Sequence, residues 1–130
     1  MAGISDFAQK AMLDWVLLGA TPTRPGQLGL GLSVGVPTEA AASEYGGGGY
    51  TRGIATFGAA ASPAGSASNV NAMTFGPFST AATISALQVW DSTVNAAGNF
   101  WWYGTLATAR TLGVGDSLVV NGGALIITLS

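Results

Sequence analysis

The clearest pattern in the chain is an alternation. Leu28, Leu30, Leu32, Val34 and Val36 fall on one side of a two-residue period, and Gln27, Gly29, Gly31, Ser33 and Gly35 on the other. That period predicts a strand over residues 27–36 with a leucine face for the core. The opposite face is almost bare glycine, which weakens a strand and marks close approach of another backbone or layer, or else a bulged edge.

A different period governs the start of the chain. Ile4, Ala8, Ala11, Trp15 and Leu18 recur at helical spacing, and Phe7, Met12, Leu13, Val16 and Leu17 widen the apolar surface around most of the circumference. Ser5 is a suitable N-cap, Asp6 sits in the first turn, and Gly19 follows as a C-terminal stop, so a helix is predicted over 5–18. Asp6, Lys10 and Asp14 stand at i, i+4 spacing on the remaining face. Such a helix needs burial on more than one side, against its own sheet or across a neighbour.

Further strands are predicted at 50–57, 70–75, 84–91, 100–106, 117–120 and 124–129, with 38–49 and 58–69 as loops. Residues 84–91 and 100–106 flank a turn and read as a hairpin, and Asn121-Gly122 predicts a second one. The last strand is apolar at nearly every position and is expected to be covered on both faces. Residues 100–103 are four consecutive aromatics. As a regular strand, Phe100 and Trp102 would face the core, and Trp101 and Tyr103 would need an outside partner. About seven to eight strands after one helix predict a single domain over 1–130: a mainly β, two-sheet β-sandwich of jelly-roll type over 27–130, with the N-terminal α-helix at 5–18.

Composition changes the picture in one respect. Only 8% of the residues are charged, against about 25% in an average soluble domain. A surface so poor in charge points either to burial in an assembly or to an extracellular β-protein rich in Ser and Thr. With a net charge of −2 and four scattered basic residues, no nucleic-acid partner is expected. No apolar run approaches a membrane span, and the first residues lack the basic region of a secretory signal, so no membrane role is expected.

Candidate chemistry is thin. Histidine and cysteine are both absent, removing the commonest general base, metal ligand and thiolate nucleophile. Glu39 and Glu44 share a loop and could face each other as glycosidase carboxylates do, but loop acids ordinarily serve as solvating groups. Asp91 and Asp116 stand beside turns, where aspartate caps backbone, and no EF-hand spacing is present. No enzymatic activity, cofactor or metal is expected. Trp90, Trp101, Trp102, Tyr103 and Tyr50 could stack on sugar rings, although aromatics in strands more commonly form core or subunit interface.

Several segments carry a resemblance when taken in order. They are Gly46-Gly47-Gly48-Gly49-Tyr50-Thr51-Arg52, Met73-Thr74-Phe75-Gly76-Pro77, Val89-Trp90-Asp91, Phe100-Trp101-Trp102-Tyr103-Gly104-Thr105-Leu106, and Gly115-Asp116-Ser117-Leu118 leading into 123–129. This order resembles a family of small tailed-bacteriophage virion proteins, described as head decoration (cement) or tail-fibre-like. The resemblance implies a structural part of the virion and no catalytic residue. A short compact chain is unlike the longer, repeat-rich fibre tips that bind receptors. The expectation is therefore a decoration protein on the capsid surface, partnered by itself as a homotrimer or a dimer and by the major capsid protein. The alternative is a tail fibre or baseplate adhesin that binds host glycan through aromatics. Phe7, Leu13, Trp15, Gly29, Gly31, Trp101 and Tyr103 are the expected interface residues.

Overall fold

The computed structural model describes residues 2–62 and 65–128. Its main layer is a five-stranded antiparallel sheet of order β1-β7-β6-β2-β3. The strands are β1 (Ala2–Ile4), β2 (Leu28–Ser33), β3 (Gly53–Ala55), β6 (Ala82–Trp90) and β7 (Phe100–Leu112). Two antiparallel ribbons face it, one of β4 (Ser66–Ser68) with β9 (Ile126–Thr128) and one of β5 (Met73–Phe75) with β8 (Leu118–Val120). Among the described residues there is one α-helix, α1 (Asp6–Leu13), which runs on into a π-helical turn over Asp14–Leu18. The architecture is thus mainly β and sandwich-like. The last expected strand position, Leu129, lies outside the described residues.

The register explains the core. Ile4, Trp102, Val89 and Leu30 stand opposite one another across four strands, and Leu32 pairs with Leu87. Residues directly opposite share a face, so the leucine face of β2 joins one continuous apolar surface. Phe75, Met73 and Val120 from the ribbon and Tyr45, Tyr50 and Phe78 from loops complete the cluster. Leu30, Leu32 and Ile84 are fully buried.

The glycine face is covered by the chain itself. Tyr103 lies over Gly3, Gln88 and Trp90 lean over Gly31, and Arg52 and the Ser92 carbonyl lie over Gly29. A methyl group at Gly29 or Gly31 would overlap these atoms. The glycines are there because large side chains of neighbouring segments fold across them.

Several elements depart from the alternation. Strand β2 ends at Ser33, where the hydroxyl lies within hydrogen-bond reach of the carbonyls of Gly35 (2.8 Å) and Ser43 (2.8 Å), to which its one proton can be given or shared, and the chain bends away. Val34 and Val36 are therefore exposed rather than in the core. The expected strand at 50–57 shortens to Gly53–Ala55, and the one at 70–75 to Met73–Phe75. A strand forms at Ser66–Ser68 inside an expected loop, because Ala67 pairs with Ile127 through backbone alone. The predicted hairpin at 84–91 and 100–106 forms, with β7 running on to Leu112.

Asn121-Gly122 does turn the chain, but β8 and β9 do not pair with each other. The buried Asn69 takes that turn's backbone instead. Its Oδ1 accepts from Leu125 N (2.9 Å), its Nδ2 donates to the Asn121 carbonyl (3.0 Å), and its own carbonyl accepts from Gly123 N (2.6 Å). The chain is thereby passed from one ribbon to the other. Strand β9 closes the sandwich on one face only, leaving Ile126 63% exposed where burial on both faces was expected.

Candidate assembly surface

The N-terminal helix is positioned by a defect in the sheet. Val89 pairs with Trp102 and Trp90 with Phe100, so Trp101 is an extra residue bulged out of β7. A bulge leaves backbone groups unpaired. Ser5 takes two of them: its hydroxyl donates to the Phe100 carbonyl (2.5 Å) and its N–H to the Trp101 carbonyl (2.9 Å). The same hydroxyl accepts from Ala8 N, which caps the helix. Asp6 N donates to the Glu39 carbonyl (2.9 Å), and Phe7 meets the Trp101 ring edge-on at 5.4 Å. The first turn is thus clamped to β7 and to the 38–49 loop.

The far end of the helix has no such cover. Leu13, Trp15, Val16, Leu17 and Leu18 are all exposed, Trp15 at 57%, Leu17 at 79% and Leu18 at 76%. Positions 13 and 15–18 span more than a full turn, so these five side chains are spread around the axis. Gly19 closes the turn in the left-handed conformation (φ 77°) and returns its N–H to the Asp14 carbonyl. Lys10 pairs with Asp14 and keeps the charge at the side of this apolar end.

The expected interface residues divide accordingly. Phe7, 42% exposed, joins Leu13 and Trp15 on the helix surface. Gly29 and Gly31 do not form a surface at all, since Arg52, Ser92, Trp90 and Gln88 bury them. Tyr103 is also buried, with its ring filling the space above Gly3. Trp101 is half-buried between Phe7 and Asp91, whose Oδ2 accepts from its indole N–H at 3.3 Å. The bulge also reverses the expected place of Phe100, which packs on Trp90 (5.6 Å) and Tyr103 (6.4 Å), on the outer face. Trp102 alone of the pair meets the core. Val16, Leu17 and Leu18 belong to the exposed surface although only their neighbours were singled out. Their signal was the apolar character all round the helix.

Glu44, Asp91 and Asp116 are engaged structurally. Glu44, read beside Glu39 as a possible acid pair, instead holds Arg52 in a two-point pair, with Nε to Oε1 at 2.6 Å and Nη2 to Oε2 at 2.7 Å. Arg52 Nη1 donates to the Ser92 and Ala97 carbonyls, each at 2.8 Å, and its guanidinium lies 3.8 Å from the Trp90 ring centre. Tyr50 donates its hydroxyl proton to Glu44 Oε1 (2.8 Å), and Ala96 N donates to Oε2 (3.1 Å). Burial works to raise the Glu44 pKa, but the bonds and charge of Arg52, with Tyr50 and Ala96, hold it below its ordinary value. Burial and the adjacent carboxylate push Tyr50 far up. The aromatics proposed for sugar stacking are consumed here too, since Trp90 and Tyr50 are buried.

Two cavities flank Trp102. One, of about 670 Å³, opens between β7 and β9 and is lined by Leu87, Val89, Leu106, Leu125 and Ile127 among others. The second, of about 470 Å³, lies beneath the 24–28 segment. The Trp102 indole N–H is buried without a hydrogen-bond partner.

Residues 3–128 match the protein family described as Podophage GP4 fiber I protein gp80. The chain belongs to this family. The match spans nearly the whole chain, from the N-terminal helix to β9, rather than one motif. No curated protein matches the chain. As a member of the fiber I family the chain is a structural protein of a tailed-phage virion, as the resemblance in its motifs implied.

Proposed function

We propose that the chain is a fibre subunit of a podophage virion, a non-catalytic building block held to its neighbours through the apolar end of the N-terminal helix. The observation that carries this reading is the exposed, all-round apolar surface of Leu13–Leu18 on a helix whose first turn is rigidly clamped. A fibre built from this domain would carry several copies of it or join it to an extended partner. A ring of copies such as a trimer, and a dimer, both satisfy this geometry.

A second reading is a decoration protein seated on the major capsid protein, which the compactness of the sandwich favours. Glycan binding through the strand aromatics is weakened, because Tyr50, Trp90 and Tyr103 are packed within the domain. Antibody labelling of intact particles, read by electron microscopy, separates the two. Label on fibres projecting from the tail is expected; label spread over the shell sinks the fibre reading in favour of decoration.

A further inference from the structure

We propose that Asn121 is a site of spontaneous modification, where attack by the Gly122 nitrogen removes the side-chain amide and leaves aspartate or isoaspartate at the turn between β8 and β9. The site is separate from the helix tail and does not depend on how copies are joined.

The five asparagines of the chain are of two kinds. Four have their side-chain amides held. Asn69 is buried, accepting from Leu125 N and donating to the Asn121 carbonyl. Asn71 accepts from Thr56 N (3.0 Å) and donates to the Ile54 carbonyl (2.8 Å). Asn95 accepts from Arg52 N (3.0 Å) and donates to the Tyr50 carbonyl (2.9 Å). Asn99 donates to Asp91 Oδ2 (3.3 Å). Asn121 is exposed, and among the described residues its side chain has no hydrogen-bond partner. It is also the one asparagine followed by glycine.

The fold imposes that glycine. The Asn121 carbonyl accepts from Ala124 N (3.1 Å), closing a turn with Gly122 and Gly123 at its centre. Gly123 is left-handed (φ 80°), a conformation that favours glycine. A Cβ at position 122 would lie 2.9 Å from the Val70 carbonyl oxygen. A side chain that would shield the Gly122 nitrogen therefore does not fit. Among the described residues the Gly122 N–H has no hydrogen-bond partner either. The attacking nitrogen and the amide carbon are thus neighbours in the chain, and neither is tied to another group.

The chemistry needs only water. A bond forms from Gly122 N to Asn121 Cγ, the Cγ–Nδ2 bond breaks, and ammonia leaves with the former amide proton. Water then opens the cyclic imide at one of its two carbonyls. Opening at one gives aspartate, and at the other isoaspartate. Either product adds one negative charge to a chain of net charge −2. Isoaspartate also routes the main chain through the old side chain, one carbon longer, and turns the old Asn121 carbonyl into a free carboxylate. That carbonyl is the one gripped by Asn69 Nδ2 (3.0 Å) and Ala124 N. Isoaspartate therefore loosens the passage into β9, whereas aspartate leaves it in place. A virion protein is not resynthesised after assembly, so the product accumulates as the particle ages.

The test uses the full chain, folded in mildly alkaline buffer, with the same chain unfolded in urea as the unprotected reference. Peptide mapping by mass spectrometry follows each asparagine with time, and isoaspartyl methyltransferase labelling separates the two products. Asn121 is expected to convert first, at a rate of the same order folded as unfolded. Conversion slower by more than an order of magnitude in the folded chain, or another asparagine converting first, overturns the site. Thermal melting then reads the consequence, with Asn121→Asp standing for the aspartate product. Aged chain is expected to melt below fresh chain in proportion to its isoaspartate, and Asn121→Asp to melt as the wild type does. Aged chain rich in isoaspartate that melts as fresh chain does overturns the loosening of β9. An Asn121→Asp variant that melts as low as aged chain overturns the lengthened backbone as its cause.

Discussion

Glu44 is a carboxylate in a place that ordinarily favours the neutral acid. It stays ionised because Arg52 meets it at two points and Tyr50 and Ala96 add donors. Its folded pKa is therefore below its unfolded value of 4.5. The sign follows: the stability it contributes is fully present above pH 4.5 and is lost as pH falls through the lower, folded value. Glu44→Gln leaves the Arg52 charge buried and incompletely paired, which should cost about 3 kcal/mol at pH 7. The variant should also lose part of the acid-induced decline below pH 4.5. Denaturant titrations of both proteins at pH 7 and pH 3 check this; parallel losses in the two proteins would remove Glu44 as the cause. None of this pairing was legible in the sequence. Glu44 falls in a stretch read as loop and Arg52 in a predicted strand, eight positions apart, and only the closure of the 38–52 segment over β2 brings them together.

At the scale of elements, legibility followed locality. The helix was readable from cap to stop, because Ser5, the apolar spacing and Gly19 act within a few residues of one another. The leucine face of β2 was readable for the same reason. The aromatic strand was not, since a single bulged residue, Trp101, changes the side on which Phe100 emerges, and a bulge is dictated by the partner strand. The Asn121-Gly122 turn shows a related effect. A strong local hairpin signal is overridden by one distant side chain, Asn69, that takes its backbone groups. Asn69→Ala would leave buried donors and acceptors unmet, and should lower stability by about 2–3 kcal/mol. Thermal melting checks the loss. A melting point unchanged within a degree would show that β8 and β9 keep their places without it.

For the whole molecule, the sequence disclosed that something must cover an apolar surface, but located it partly in the wrong place. Gly29, Gly31 and Tyr103 are covered by the chain itself, and the unpartnered surface lies on the helix end. In the proposed assembly, contact through that surface would be driven by apolar burial, so excluded salts such as sulfate should strengthen it. Trp15→Ala removes more than half-exposed indole surface that the domain's own core does not use, and should weaken association at least tenfold with no change in melting of the monomer. Sedimentation equilibrium of the variant against the wild type checks this; equal association constants would take Trp15 out of the contact. The Arg52 cluster has a consequence of another kind. It ties segments near residues 44, 52 and 92–97 to one another, so the tip of the β6–β7 hairpin cannot open without breaking contacts that reach the core. Ala96 lies on the surface at that tip, yet its N–H is held by Glu44. In deuterated water this surface amide should exchange as slowly as those of the central strands, and Glu44→Gln should release it.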